Sequence, residues 1–231
     1  MNKLVRRLTK LAFLTTFLAV AAGTAFAQNT GTVTINGSVA KSASIRWWSF
    51  TALNSETGAN APNTQNSPLV FTMSVGDVSP ANTNSYAGGK VKVILRTNAA
   101  YALSAQVTAS SGFGAASGDI TLSDVGFGLA NLANSGALVF GDPATNSVIA
   151  GSFGNDPSAA AKNADGVPTF PTSLSNVSSA TQVLSGPRIS KGGSVNSPNN
   201  GLLVDTIYAI GPQYFTPTTF SATVTYTITT P

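Results

Sequence analysis

Near the end of the chain, Phe220, Ala222, Val224, Tyr226 and Ile228 alternate with Ser221, Thr223, Thr225, Thr227 and Thr229. A period of two marks a strand with one apolar face and one wet face. Threonine suits the wet face, because its branched carbon fits the pleat and its hydroxyl stays hydrated. The same period runs through Val91, Val93 and Leu95, with Lys90, Lys92 and Arg96 at the opposite positions. It resumes after Thr97-Asn98-Ala99 at Tyr101, Leu103, Ala105 and Val107, which predicts a hairpin across that turn. Further strands are predicted over 32–45, 69–75, 120–129, 138–140, 181–184 and 202–210, separated by Gly-, Asn-, Pro- and Ser-rich turns. Residues 141–168 and 186–201, rich in Gly-Asp-Pro and Asn-Gly signals, read as long surface loops. No convincing helical period intervenes, so the pattern predicts one antiparallel β-sandwich domain. The predicted core is Val33, Ile35, Val91, Val93, Leu95, Tyr101, Leu103, Ile207, Val224 and Tyr226.

The first 27 residues depart from this pattern. Lys3, Arg6, Arg7 and Lys10 precede an apolar run over 11–22, and Ala25-Phe26-Ala27 supplies small residues at a cleavage position. That layout predicts a secretory signal peptide over 1–27 and a mature domain over 28–231. The apolar run is too short to span a bilayer, and no second one follows, so no transmembrane helix is expected in the mature chain. The expected location is extracellular, cell-surface or periplasmic.

Removing the leader changes the charge. The chain has 12 Lys and Arg against 8 Asp and Glu. Four of the basic residues lie in the leader, which leaves the mature part neutral. The high pI therefore describes the precursor, and no nucleic-acid partner is expected. A neutral surface with few charges favours association between copies. The chain has no Cys and no His. Disulfides, thiolate or imidazole metal sites and histidine-based nucleophilic catalysis are excluded on that ground.

Little remains for chemistry. Ser38-Val39-Ala40-Lys41 has the Ser-x-x-Lys spacing, but in a strand those two positions point to opposite faces. Asp142, Asp156 and Asp165 sit beside Gly or Pro, where turn formation accounts for them; the alternative is calcium ligation, without the spacing of a calcium loop. Gly112 to Gly118 has the wrong spacing and setting for a phosphate loop. Trp47-Trp48 is the best lead for ligand stacking: adjacent strand residues face opposite sides, so one ring would enter the core and the other could stack on a sugar or a neighbour. The structural reading of the pair is preferred. Lys90, Lys92 and Arg96 form a basic face, read first as a solvated face that discourages edge pairing and second as a contact for acidic polysaccharide. The chain is expected to be no enzyme and to carry no cofactor or metal.

Both ends of the mature chain resemble fimbrial subunits of the chaperone–usher type. The resemblance lies in Gly31-Thr-Val33-Thr-Ile35-Asn-Gly37-Ser-Val39, followed by Ala43-Ser44-Ile45, and in the alternating last strand with Tyr226 near its end. It covers two short strands. It implies an immunoglobulin-like, pilin-like sandwich and a donor extension ahead of the first strand. Only Gln28-Asn29-Thr30 precede Gly31 if cleavage follows Ala27, and Ser44 lies near the position where many such pilins carry a cysteine. Val33, Ile35, Gly37 and Val39 share one face and could complete a neighbour's sheet by strand addition; the preferred reading is that they form the domain's own first strand. The expected function is a non-enzymatic exported structural subunit of a fimbria-like assembly at the cell surface, self-associating or joined to other surface subunits. The alternative is a secreted carbohydrate- or surface-binding module of adhesin type, with glycans as partners.

Overall fold

The computed structural model describes residues 35–60, 64–80 and 85–231. The leader over 1–27 and Val33 lie outside them. The protein is nearly all-β, with 42% strand, 9% helix, antiparallel sheets and no closed barrel. Its strands are β1 (Ala43–Ala52), β2 (Gly58–Asn60), β3 (Thr72–Ser74), β4 (Ala87–Thr97), β5 (Tyr101–Ser111), β6 (Val125–Asn134), β7 (Val148–Ile149), β8 (Thr181–Gly186), β9 (Leu202–Ile210) and β10 (Ser221–Thr229). One four-stranded sheet runs β1-β4-β9-β6 and the other β10-β5-β8-β7; β2 and β3 form a separate ribbon.

The predicted alternation is present. Val91, Val93 and Leu95 of β4 face Tyr101, Leu103 and Ala105 of β5 across a core that also takes Phe127, Leu129, Val183, Leu184, Leu202 and Val204. From β10, Phe220, Val224, Tyr226 and Ile228 pack against it. Tyr208 of β9 and Tyr226 of β10 meet hydroxyl to hydroxyl at 2.6 Å, joining the two sheets.

The predicted hairpin is not a hairpin. β4 pairs with β1 and β9, whereas β5 pairs with β10 and β8. The Thr97-Asn98-Ala99 turn is a corner between sheets, and both strands bury the same apolar face from opposite sides of the core. The corner is tied to other segments: Asn98 Nδ2 donates to Ala40 O at 2.8 Å, Asn98 Oδ1 accepts from Ser42 N at 2.8 Å, and Thr97 O accepts from Ser190 N at 2.7 Å.

Other boundaries move for stated reasons. Within the described part of the predicted strand over 32–45, residues 35–42 carry no ladder and β1 starts at Ala43. Ile35, assigned to the core from its alternation, is 91% exposed. The predicted strand over 138–140 is reduced to one bridge, Val139 with Ser190. Part of the predicted strand over 120–129 is a 3-10 turn (Leu122–Asp124), closed by a Thr121–Asp124 capping box. Ile207 is fully buried, as expected, but opposite Lys90 on the outer face of its sheet.

That outer face is covered, because the predicted surface loops pack on it. A short helix, α1 (Pro143–Asn146), β7 and 3-10 turns at Gly151–Phe153 and Pro157–Ala159 give the first loop internal structure. A Cβ on Gly126 of β6 would lie 2.4 Å from Phe170 Cδ1 and 2.7 Å from Pro157 Cβ. The strand therefore needs glycine where the loop crosses it.

Candidate functional site

The sequence-predicted site residues fall into three separate places. Ile35, Gly37 and Val39 belong to the stretch without a ladder; Ile35 and Val39 are exposed, and a Cβ on Gly37 would meet nothing within 4 Å. Val33, their fourth member, lies outside the described residues. Trp47 and Trp48 sit at a bulge in β1, where the register with β4 slips between Trp47 and Ser49. Trp47 packs against the core, and its indole N–H is buried without a partner. Trp48 is half-buried and outside the core cluster. The bulge breaks the simple rule that adjacent side chains point to opposite faces.

Lys90, Lys92 and Arg96 do share one face of β4, but it is not the solvated face the alternation suggests. Lys90 Nζ lies 2.5 Å from Asp156 and Lys92 Nζ 3.6 Å from Asp205. Asp205 also accepts from Asn131 Nδ2 at 2.7 Å. Arg96 is 4% exposed, held by Asn200 Oδ1, Asn66 Oδ1 and Ser197 O. Burial, aided by the nearby charge of Arg46, lowers its pKa to about 10. Arg46, on β1, donates Nη1 to Asn66 O at 2.7 Å and lines an open cleft of about 450 Å³ with residues 64–68 and Asn196. Reading the strands one at a time missed Arg46. The signal was present: it alternates with Ile45 and Trp47, and so belongs on the face opposite the core.

The aspartates have structural work. Asp142 caps α1 and accepts from Thr145 and Asn134, which holds its carboxyl below the ordinary carboxylate range. Asp156 caps the Pro157–Ala159 turn. Burial pushes its carboxyl up, but hydrogen bonds from Lys90 and Ser158 and the Lys90 charge outweigh this, so it too lies low. Asp165 lies in a turn organised by Asn163 Oδ1, which accepts from Asp165 N and Val167 N. Lys41, of the Ser-x-x-Lys stretch, donates to the Pro231 carbonyl. Among the described residues, no group of three or more acidic side chains is placed to hold a metal ion.

One further feature is a surface rather than a pocket. β10 is an edge strand of nine residues, Ser221–Thr229, with no charge and no proline. Its outer edge has no strand partner among the described residues. By contrast, β1 is partly covered at its edge: Trp47 N donates to Ser67 O, and Trp47 O accepts from Asn66 N, both at 3.0 Å.

These features define an antiparallel β-sandwich in which the β1 edge is partly covered and the β10 edge has no strand partner among the described residues. No family model, curated protein or solved structure matches the chain. Among the described residues, no helix is long and apolar enough to cross a membrane.

Proposed function

We propose that the chain is an exported, non-enzymatic structural subunit of a fimbria-like assembly at the cell surface or outside the cell, joined to its own copies or to other surface subunits. The observation that carries this reading is the open β10 edge. Edge strands are normally blunted by charge, proline, bulges or a covering segment, because a row of free N–H and C=O groups recruits another strand. β10 has no charge, no proline and no inserted residue: the register shift at Thr223/Val224 places the extra residue, Thr108, in β5, and Thr223, Thr225, Thr227 and Thr229 are exposed along β10. The exposed alternation of Ile35 and Val39 supplies a segment of the right chemistry to pair with such an edge, since main-chain bonds give affinity and alternate side chains give fit. The neutral mature composition favours the same outcome.

Electron microscopy of three preparations tests it: wild type, a deletion of residues 28–40, and Thr227→Lys on the exposed face of β10. Fibres or ordered oligomers are expected from wild type, with loss in both variants. Thr227→Lys should leave the melting free energy within about 0.5 kcal/mol. Absence of assembly in wild type, or equal assembly in all three, refutes the proposal.

A further inference from the structure

Two guanidinium groups lie side by side on the covered outer face of the first sheet, and among the described residues no carboxylate forms an ion pair with either. Arg46 stands opposite Ile94, and Arg96 stands opposite Ser44. That register makes the two arginines diagonal neighbours on one face, within reach of a shared ligand. The two ion pairs among the described residues use Lys90 and Lys92, and neither arginine takes part. Each arginine is held only by neutral oxygens. Arg96 uses Asn200 Oδ1 at 2.6 Å, Asn66 Oδ1 at 2.7 Å and Ser197 O. Arg46 uses Asn66 O at 2.7 Å. Asn66, in a left-handed conformation with φ of 69°, therefore bonds both groups at once.

The acceptors run out before the donors do. Arg96 Nη1, Arg46 Nε and Ser44 Oγ are all buried with no hydrogen-bond partner. A buried donor left unpaired is costly, and a buried charge without a counter-charge costs more. A guanidinium fulfilling a purely structural role would spend its donors on acceptors; here unpaired donors from three adjacent positions cluster around two like charges. Water would satisfy the donors and leave the charge. An anion satisfies both, and a planar two-oxygen anion matches the guanidinium fork. A cleft lined by Arg46 and by Asn66, which bonds both arginines, opens beside this place, and Gln65, Ser67 and Asn196 on its walls offer neutral polar contacts for the rest of a ligand.

We propose that Arg46 and Arg96, with Ser44, form an oxyanion-binding site entered through the cleft beside Asn66, taking a carboxylate or sulfate group. The group has two natural sources, a free inorganic oxyanion or an acidic sugar. The site does not depend on assembly, since every residue in it belongs to one chain.

The test is calorimetric titration and thermal melting of the purified protein with sodium sulfate, sodium glucuronate and glucose, at ionic strength held constant with sodium chloride. Saturable heat and a rise in Tm are expected with sulfate or glucuronate and not with glucose. Tighter binding of glucuronate assigns the site to an acidic sugar, and tighter binding of sulfate to an inorganic ion. Arg46→Gln, at a half-buried position, should weaken binding about ten- to a hundredfold and keep the fold. Arg46→Lys keeps the charge without the fork and should fall between the two. Arg96→Met should abolish binding; if it does not fold, the Arg46 pair decides. No saturable oxyanion response, or a response unchanged in Arg46→Gln, overturns the proposal.

Discussion

At the scale of single residues, the stability of the sandwich rests on large apolar side chains with a few polar pairs set among them. Leu103, Phe127 and Leu184 are fully buried. Tyr101 spans from the core to Ser147, where its hydroxyl meets Ser147 Oγ at 2.9 Å, and burial raises its pKa to about 12. The Tyr208–Tyr226 contact is the more informative pair, because each hydroxyl comes from a different sheet. Burial also raises the pKa of both tyrosines, and at Tyr226 the neighbouring Tyr208 hydroxyl raises it further. Tyr226→Phe should destabilise by about 1 kcal/mol, and Tyr208→Phe by a similar amount. The double variant should lose less than the two added together, because a matched apolar pair leaves no hydroxyl short of its neighbour. Urea melts of the four proteins close the cycle; simple additivity would show that the contact contributes nothing.

At the scale of elements, the loops over 141–172 and 187–201 behave as a lid on the first sheet rather than as solvated connections. Gly126 and Gly128 of β6 leave room for Phe170, Pro157 and Asn155, and Asp156 reaches down to Lys90. Gly126→Val should force the Phe170 segment off the strand. The expected loss is about 1–3 kcal/mol, as in other overpacked sites, with faster proteolysis between residues 150 and 172; equal cleavage rates would show that the loop is not held there. How much of this was legible differs from strand to strand. β4, β5 and β10 could be placed because each carries an apolar side chain at every second position, which writes a two-residue period into the chain, and β9 because it is a long, mostly apolar run buried on both faces. Partners could not be placed: Thr97-Asn98-Ala99 has the same turn chemistry whether the next strand pairs with the last or crosses to the other sheet. Ile35 failed for a related reason, since alternation states which side would be apolar and not whether anything covers it. Arg96 was misplaced in environment because the segments covering it, around Asn66 and residues 197–200, are remote in sequence.

At the scale of the whole molecule, acid should loosen the lid before it melts the core. The Asp156 carboxyl lies below its ordinary value of 3.8 in the folded protein. A lowered folded value means that its contribution is complete above pH 3.8 and is lost as pH falls through the lower folded value. Asp156→Asn should therefore be less stable than wild type at pH 7, with the gap closing below pH 3.8. Urea melts across that range measure it, and a gap constant with pH would assign the effect to something other than the carboxylate.

The crossing at Thr97-Asn98-Ala99 also sets an order of events. The ribosome completes β5 long before either of its neighbours, for Tyr101 pairs with Gly186 and Ser111 with Ser221. Until those stretches are synthesised, the central strand of the second sheet has two bare sides and nothing local to occupy them. Folding of this sheet must wait until residues 221–229 have been translated, as expected of a topology dominated by distant pairings. The unfinished polypeptide is exposed to aggregation throughout that interval.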